Sequence, residues 1–477
     1  MSSSVEALRT ENMTADERGN GEMKTKMKRV LFIAFDFPPR RTSGVYRPTA
    51  LTKYLPRLGW QPTVLTVRGV RGQVEDLTLM ERIPPEVLVA RTRYMAVDGW
   101  EKLFGRSSRS APATSGGVKT QPRPGRESRS LVKWLLRSLR AALYFPDRTA
   151  GWIPFGLVEA VKLHRKNRFD LIATTSPPRS GPVIGWLLKL LLGIPWVAEF
   201  RDPWLPPSDV REMLGEPVPR WRRSLDRLLY TSMLGRADAV VTVTQGHADE
   251  LQNQYRVKRD KLFVVMNGFD EEDFGDSNGT NGDLFPPTHL HLSHFGTIYP
   301  HFSGKFFPAL IELLKECPEF RDRLHINIVG FPDDEVLQYS RREELQGIIQ
   351  IHRFIEHKDA IRAMRSSHCL LLFYAHPYIS KSYIPGKIYE YLRVGRPILA
   401  VAYDGGAKQL IQEGKAGWVL EPDDIGGIKK ALKTLLNQSL ASGSRTPADP
   451  EYVAKFRYDH VAQNLARVFG EVVGDGR

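Results

Sequence analysis

Short apolar runs alternate along the chain with longer segments whose apolar residues recur at helical spacing. The runs in the first half are RVLFIAF, PTVLTV, DLIATTS, PWVAEF, AVVTVT and LFVVMNG, and those in the second half are LHLSHFG, HINIVG, IIQIHRF, CLLLFY, PILAVAY and GWVLE. Such runs are typical of strands that are buried on both faces of a parallel sheet. The alternation therefore predicts an α/β protein with two Rossmann-like, doubly wound domains that face each other across a cleft.

The length of 477 residues also favours two domains over one. A polar, glycine-rich stretch, GDSNGTNGD, separates the two series of strands. The predicted units are a disordered tail (1–27), an N-terminal acceptor-side domain (28–275), a linker (276–285), a C-terminal donor-binding domain (286–450) and a C-terminal helix (451–477) that we expect to pack back on the N-terminal domain. The tail carries both signs of charge and lacks the apolar run of a signal peptide or membrane anchor.

One segment interrupts the alternation. Residues 105–128 are rich in Ser, Gly, Pro and Arg, which predicts a flexible insert. Residues 130–145 follow with an amphipathic helical pattern, in which leucines and a tryptophan share one face and basic residues lie on others. This helix either rests on an anionic membrane surface or packs on its own domain, and the sequence does not choose between the two.

Composition and charge narrow the choice of partners. The chain is 42% hydrophobic and 26% charged, as expected of a folded globular protein, and its formal net charge is +14. This charge indicates anionic partners such as nucleic acid, lipid headgroups or phosphorylated small molecules, or else a solvated basic surface. Cys317 and Cys369 lack disulfide or metal-ligand spacing and suit the reducing cytoplasm, so we expect a cytoplasmic protein.

The stretch SYIPGKIYEYLRVGRPILA (382–400) brings together residue types that suit a nucleotide-sugar donor. Gly386 allows close backbone approach, Lys387 can meet a phosphate, and Glu390 can accept hydrogen bonds from both ribose hydroxyls. On spacing alone, the same trio also fits the start of an ordinary surface helix.

The wider pattern resembles the donor-site signature of family 4 glycosyltransferases of the two-Rossmann-domain, GT-B type. Pro385, Gly386, Lys387 and Glu390 match its first part, and Gly405 with Gly406 match the turn that follows. The resemblance implies that Glu390 binds the donor ribose. Residues around Arg353 and Phe354 resemble the strand end that faces the nucleotide base in this family.

The N-terminal half resembles the same family, particularly its bacterial branch active in surface-polysaccharide assembly. The opening FDFPPRRTSGVYRPTALTKYLPRLGW places Ser43 and Gly44 in a turn and Arg47 at the start of a helix, and PWVAEFRDPW places Arg201 and Asp202 at a strand end. The resemblance implies that these five residues lie on the acceptor side of the cleft. Each also has a structural alternative, as a turn residue or a local ion pair.

Three positions depart from the family pattern. Ser382 stands where the fuller donor motif has a second glutamate, usually assigned to contacts near the transferred sugar. Arg201 stands where many members have a histidine. The stretch HFGTIYPHFSGK offers Gly296, Thr297 and Lys305 but lacks the expected arginine, so either Lys305 or Lys387 is the candidate phosphate cation.

The resemblance implies glycosyl transfer with retention, in which the departing phosphate itself accepts the proton of the acceptor. Such a reaction needs no protein nucleophile and no cofactor, and the sequence shows no Asp-x-Asp metal motif, so we predict no metal. Lys305, Lys387 and amides near Gly296 and Gly386 would stabilise the departing diphosphate. The predicted acceptor is a glycan or lipid-linked molecule, met by a peripheral protein on the inner membrane face.

Other functions remain open at this point. A sugar-nucleotide epimerase of similar architecture would need additional carboxylates in the cleft, and no strong pair stands out. A catalytically inactive GT-B protein with a binding or scaffolding role is a further alternative. A nucleic-acid-binding protein would fit the charge, but the sequence contains no recognisable nucleic-acid module, so we expect no nucleic-acid partner.

Overall fold

The computed structural model describes residues 27–69, 74–95, 138–139, 141–213, 219–275, 285, 289–352, 355–441 and 448–474. Two parallel sheets organise these residues, as the alternation of apolar runs predicted. The predicted fold class, two Rossmann-like α/β units, is thereby confirmed. Residues 276–284 of the linker, the insert 105–128 and most of the helix expected at 130–145 lie outside the described residues, and the proposed domain bounds stay a prediction.

The first sheet has seven strands in the order β3-β2-β1-β4-β5-β6-β7. They are β1 Lys28–Ile33, β2 Trp60–Val67, β3 Leu88–Thr92, β4 Leu171–Ser176, β5 Trp196–Phe200, β6 Ala239–Thr242 and β7 Leu262–Val264. The helices of this half are α1 Tyr46–Tyr54, α2 Ile153–Asn167, α3 Ser180–Leu192, α4 Ser208–Met213, α5 Arg220–Arg236 and α6 Gln245–Tyr255. The strand order reverses between β1 and β4, and ligands of such sheets bind beyond the strand ends at this point.

The second sheet has six strands in the order β10-β9-β8-β11-β12-β13. They are β8 Leu290–Thr297, β9 Leu324–Phe331, β10 Ile349–His352, β11 Cys369–Tyr374, β12 Ile398–Ala402 and β13 Gly417–Leu420. The helices are α7 Phe306–Glu316, α8 Asp334–Tyr339, α9 His357–Ser366, α10 Pro377–Ser382, α11 Lys387–Val394, α12 Gly406–Glu413, α13 Ile425–Ala441, α14 Pro450–Ala454 and α15 Tyr458–Val473. Here the strand order reverses between β8 and β11, so the loops after these two strands are where a ligand is expected.

Burial explains why these strands have such uniform composition. Both faces of the central strands are covered by helices, and β4, β5, β6 and β12 are buried along their whole length. The last helix, α15, crosses back to the first sheet, where Phe469 packs edge-on against Trp60 with ring centroids 5.2 Å apart. None of the helices within the described ranges combines the length and the hydropathy needed to traverse a bilayer.

Candidate active site

A lysine and a histidine meet at the end of β8, at the reversal point of the second sheet. Lys387 begins α11, and its Nζ donates a hydrogen bond to His294 Nε2 at 3.1 Å. On the other side of the ring, His294 Nδ1 donates to the Leu371 carbonyl oxygen at 3.1 Å. Burial, and next the charge of Lys387, hold the pKa of His294 well below its ordinary value. His294 is therefore a neutral imidazole that holds the lysine amine in place.

Gly296 lets this amine reach the strand end. Its φ is +97°, a conformation that favours glycine, and a Cβ built there would lie only 3.2 Å from Lys387 Nζ. Burial lowers the pKa of Lys387 to about 7, although the negative charge of Glu390 raises it. An amine that loses solvation without gaining a close carboxylate partner is suited to accept an anionic ligand.

Glu390 lies one turn along α11 and faces the other half of the molecule. Its Oε1 accepts a hydrogen bond from His357 Nε2 at 2.8 Å. The His357 ring packs in turn on Tyr46 of α1, with ring centroids 4.9 Å apart. Burial lowers the pKa of His357, but the hydrogen bond and the charge of Glu390 outweigh it, so this pKa is raised. Glu390 is thus a half-buried carboxylate at the junction of the two domains.

The predicted donor-site glycines differ in what surrounds them. A Cβ at Gly405 would lie 1.9 Å from the Ser380 carbonyl oxygen, and one at Gly406 would lie 2.6 Å from Ile384 Cδ1. These two glycines therefore pack against the segment that leads into α11. Gly386, in contrast, has open space beside its Cα and forms the N-cap of α11. Thr297 is the last residue of β8, directly after Gly296.

Lys305 does not join the cluster formed by Lys387, Gly296 and Glu390. It precedes α7, its side chain is exposed, and its backbone N–H donates to the Pro422 carbonyl oxygen at 2.7 Å, in the loop after β13. Of the two candidate phosphate cations, Lys387 is the one that the structure brings together with Gly296 and Glu390. Arg353 and Phe354 lie outside the described residues, so their predicted role stays a prediction.

Arg47, predicted on the acceptor side, forms a buried ion pair. It is 2% exposed, and its Nη2 and Nε lie 2.7 and 3.0 Å from Glu199 Oε1. Its guanidinium also donates to the Val265 and Met266 carbonyl oxygens and to Asn267 Oδ1. Burial raises the pKa of Glu199, but the charge of Arg47 and the hydrogen bonds from Arg47 and Thr175 together outweigh this effect and lower it. The Arg47 guanidinium thus hydrogen-bonds to groups of the protein itself. Its predicted contact with the acceptor stays a prediction.

The other acceptor-side candidates lie together at the strand ends of the first sheet. Arg201 follows β5 and donates to the Gly44 carbonyl oxygen at 3.3 Å and to the Pro177 carbonyl oxygen at 2.9 Å. Arg201 therefore ties the loop of Ser43 and Gly44, after β1, to the loop after β4. Asp202 is exposed and lies opposite the second domain, where burial, and next its charge, raise the pKa values of three tyrosines, Tyr299, Tyr374 and Tyr383.

Sequence reasoning missed His294, His357 and Glu199. The signal for Glu199 was present, because a carboxylate inside the apolar strand PWVAEF must be paired when it is buried. The two histidines carried no comparable signal, since each meets its partner only in the folded chain. Within the described ranges, no three His, Cys, Asp or Glu side chains are grouped so that they could hold a metal ion, which leaves the metal prediction untested.

Comparisons with known proteins agree with this arrangement. The family model Glycosyltransferase Family 4 matches residues 118–273, and Glycosyl transferases group 1 matches residues 302–438, which together exceed half of the chain. The chain is 25% identical over 346 residues to a D-inositol 3-phosphate glycosyltransferase of Streptomyces scabiei, covering 68% of this chain and 72% of that protein.

Solved structures share the fold. A glycosyltransferase from Rickettsia africae has a TM-score of 0.57 at 16% identity and covers 94% of this chain and 99% of its own. The Anabaena protein HepE in complex with UDP-glucose has a TM-score of 0.57 at 15% identity and covers 93% and 99%, respectively. Two Rossmann-like domains with a site between them are the GT-B architecture. The chain belongs to glycosyltransferase family 4 and is a nucleotide-sugar-dependent transferase.

Proposed function

We propose that the protein transfers a sugar from a nucleoside diphosphate donor to a glycan or lipid-linked acceptor, with retention of configuration and without a metal ion or other cofactor, in cell-surface polysaccharide synthesis. The observation that carries this proposal is the cluster of Lys387, Gly296 and Glu390. It lies at the carboxyl end of β8, beside the strand-order reversal, and faces the first domain.

The donor would lie along the start of α11. Lys387 Nζ and the amides at the N-terminus of α11 are suited to the diphosphate, because both present positive charge to it. Glu390, one turn further on, is suited to the ribose hydroxyls, and His357 fixes its orientation. As the bond from the anomeric carbon to the diphosphate breaks, negative charge grows on the leaving group. A fixed amine placed there stabilises this charge more in the transition state than in the ground state.

The acceptor would enter from the first domain. Asp202 and the three tyrosines opposite it offer hydroxyl and carboxylate groups that suit a sugar or another polyol. The relative from Streptomyces scabiei is named for inositol phosphate, so a phosphorylated polyol is a second candidate acceptor. Retention follows from the family resemblance, in which the departing phosphate takes the acceptor proton.

Peripheral membrane binding on the inner face is the third part of the proposal. Seven exposed leucines support it: Leu139, Leu143, Leu190, Leu191, Leu192, Leu225 and Leu228. On α5, Arg223 and Arg227 are also exposed and lie close in sequence to the last two leucines. Apolar side chains mixed with arginines suit an anionic lipid surface. We expect Leu228→Glu to reduce co-sedimentation with phosphatidylglycerol vesicles, whereas Leu77→Glu, at an equally exposed leucine away from α5, leaves it unchanged.

A thermal-shift panel tests the donor site first. Nucleotide sugars of the UDP, GDP, ADP and dTDP classes are added at millimolar concentration to the wild type and to Glu390→Ala. Mass action requires a ligand of the native state to raise Tm, so one donor should stabilise the wild type and not the variant. Failure of every donor to stabilise the wild type contradicts the proposal.

The selected donor is then offered to a lipid-linked saccharide and to inositol phosphate, in the presence of EDTA. NMR of the product reports its anomeric configuration. Inversion, loss of transfer in EDTA, or transfer to inositol phosphate alone would each remove one part of the proposal.

A further inference from the structure

Ser382, where the family motif has a glutamate, is buried between the two domains. It ends α10 and is 2% exposed. Its carbonyl oxygen accepts a hydrogen bond from Thr244 Oγ1, in the first domain, at 2.9 Å. Thr244 is the N-cap of α6, where the same oxygen accepts from the His247 N–H at 3.1 Å. Residue 382 therefore belongs to the contact between α10 and α6.

A carboxylate from the first domain lies at the same contact. Glu250 of α6 accepts a hydrogen bond from Tyr378 Oη at 2.9 Å. Burial raises the pKa of this carboxylate, and Tyr378 and Ser382 beside it act in the opposite direction. The two backbones also touch, because a Cβ at Gly246 would lie 2.0 Å from the Lys381 carbonyl oxygen. Hydrogen bonds and close backbone packing thus fix α10 against α6.

The position of α10 matters for the donor site because the chain runs from it directly into α11. Only residues 383–386 separate Ser382 from Lys387. From the other side, Gly405 and Gly406 pack against Ser380 and Ile384, which leaves this segment little room to shift. Any movement of α10 away from α6 therefore moves Lys387 and Glu390 relative to the first domain.

We infer that Glu250 is a positioning residue for the donor-binding segment, and that Ser382 and Glu250 form a complementary pair across the domain contact. This inference rests on the proposed function for its effect on the donor. A glutamate at 382 would place a second carboxylate beside Glu250 in a half-buried contact, and two carboxylates at such a place repel each other. In this chain the carboxylate of the contact comes from the first domain, and residue 382 is an uncharged serine.

The test uses five full-length variants: Glu250→Ala, Glu250→Gln, Ser382→Glu, the double variant Ser382→Glu/Glu250→Gln, and Asp249→Ala as the matched control. Asp249 lies on the same helix but accepts from Gln245 within α6. The donor KM and kcat are measured with the nucleotide sugar that stabilises the wild type. Small-angle scattering measures the radius of gyration of each variant without donor.

We expect Glu250→Ala and Ser382→Glu to raise the donor KM by about tenfold or more, which corresponds to about 1.4 kcal/mol of lost binding. Their kcat should change less, and their radius of gyration should increase. Glu250→Gln keeps an acceptor for the Tyr378 hydroxyl and should stay within about threefold of the wild type. The double variant should recover to the same range because only one carboxylate remains.

Two results would overturn the inference. One is a double variant as impaired and as expanded as Ser382→Glu, which would mean that bulk and not charge is at fault. The other is a Glu250→Ala variant indistinguishable from Asp249→Ala. The scattering pattern requires no donor, so loss of compactness in Ser382→Glu and its return in the double variant support the paired contact even if no nucleotide sugar binds. Absence of binding by every nucleotide sugar would refute the proposed function but not the paired contact.

Discussion

Lys387 shows how one side chain can set the pH dependence of ligand binding. Burial lowers its pKa to about 7, so above this pH the free protein holds mostly the neutral amine. A bound diphosphate favours the ammonium form and raises this pKa, so binding above pH 7 must take up a proton. We therefore expect the affinity for a nucleoside diphosphate to fall between pH 7 and 9, by up to about tenfold per unit.

Titration calorimetry with the diphosphate at several pH values measures this slope. Lys387→Met should bind weakly and lose the slope, whereas Lys433→Met, which removes an exposed lysine of α13, should keep both affinity and slope. A wild-type affinity that is constant from pH 7 to 9 would argue against contact between Lys387 and the diphosphate.

His357, which contacts Glu390, is a second titrating group, and its pKa shifts in the opposite direction. The carboxylate outweighs the effect of burial and raises the pKa of His357. We expect Glu390→Gln to lower this pKa, because the charge is lost while a hydrogen-bond acceptor remains. NMR titration of the His357 ring protons measures the change directly. Glu312→Gln serves as the control. Glu312 pairs with Lys429 instead of with His357, so this variant should leave the titration unchanged.

At the scale of the elements, the tight packing of α10, α11 and α12 predicts unequal tolerance at two glycines. Alanine at Gly405 would drive its Cβ into the Ser380 carbonyl oxygen, and we expect a loss of about 1–3 kcal/mol in the free energy of unfolding. Alanine at Gly386 meets open space and keeps an ordinary helical φ of −55°, so stability should be unchanged.

Urea unfolding compares the two alanine variants. If the two destabilise the protein equally, the packing of α12 against the end of α10 is not as described. Gly386→Ala carries a second readout, since a weaker donor affinity at unchanged stability would indicate that the open space beside Gly386 is used by the ligand.

The elements also show what sequence can and cannot predict. Apolar runs such as CLLLFY specify buried parallel strands by composition alone, because both faces of those strands are covered. Gly386, Lys387 and Glu390 are neighbours in sequence, so one helix presents them together. His294 approaches Lys387 from 93 positions away, and no local pattern encodes that contact.

Arg47 illustrates a different limit. Its position at the start of α1, near a loop at the cleft, suggested a ligand contact. The deciding contact is with the carboxylate of Glu199, which lies 152 positions away within β5. A buried guanidinium and a buried carboxylate must neutralise each other, and only the folded topology reveals that they are neighbours.

At the scale of the whole molecule, α15 joins the two domains because it follows the second sheet in sequence but packs on the first. Phe469 is fully buried against Trp60 and belongs to the apolar cluster that includes β1 and α1. We expect Phe469→Ala to cost about 3–5 kcal/mol, as is usual for a buried aromatic side chain. The loss of stability should affect the first sheet and not the second, because the apolar cluster around α15 contains no described residue of β8 to β13.

Hydrogen exchange followed by mass spectrometry separates the two halves of the molecule. Faster exchange should appear in β1, β2 and α1 of the Phe469→Ala variant, with β11 and β12 unchanged. Leu313→Ala is the reciprocal variant. The Leu313 side chain is buried in the core of the second sheet, so its truncation should accelerate exchange in that sheet. If Phe469→Ala accelerated exchange equally in both sheets, the two domains would unfold as one cooperative unit, and α15 would transmit stability between them instead of stabilising only the first.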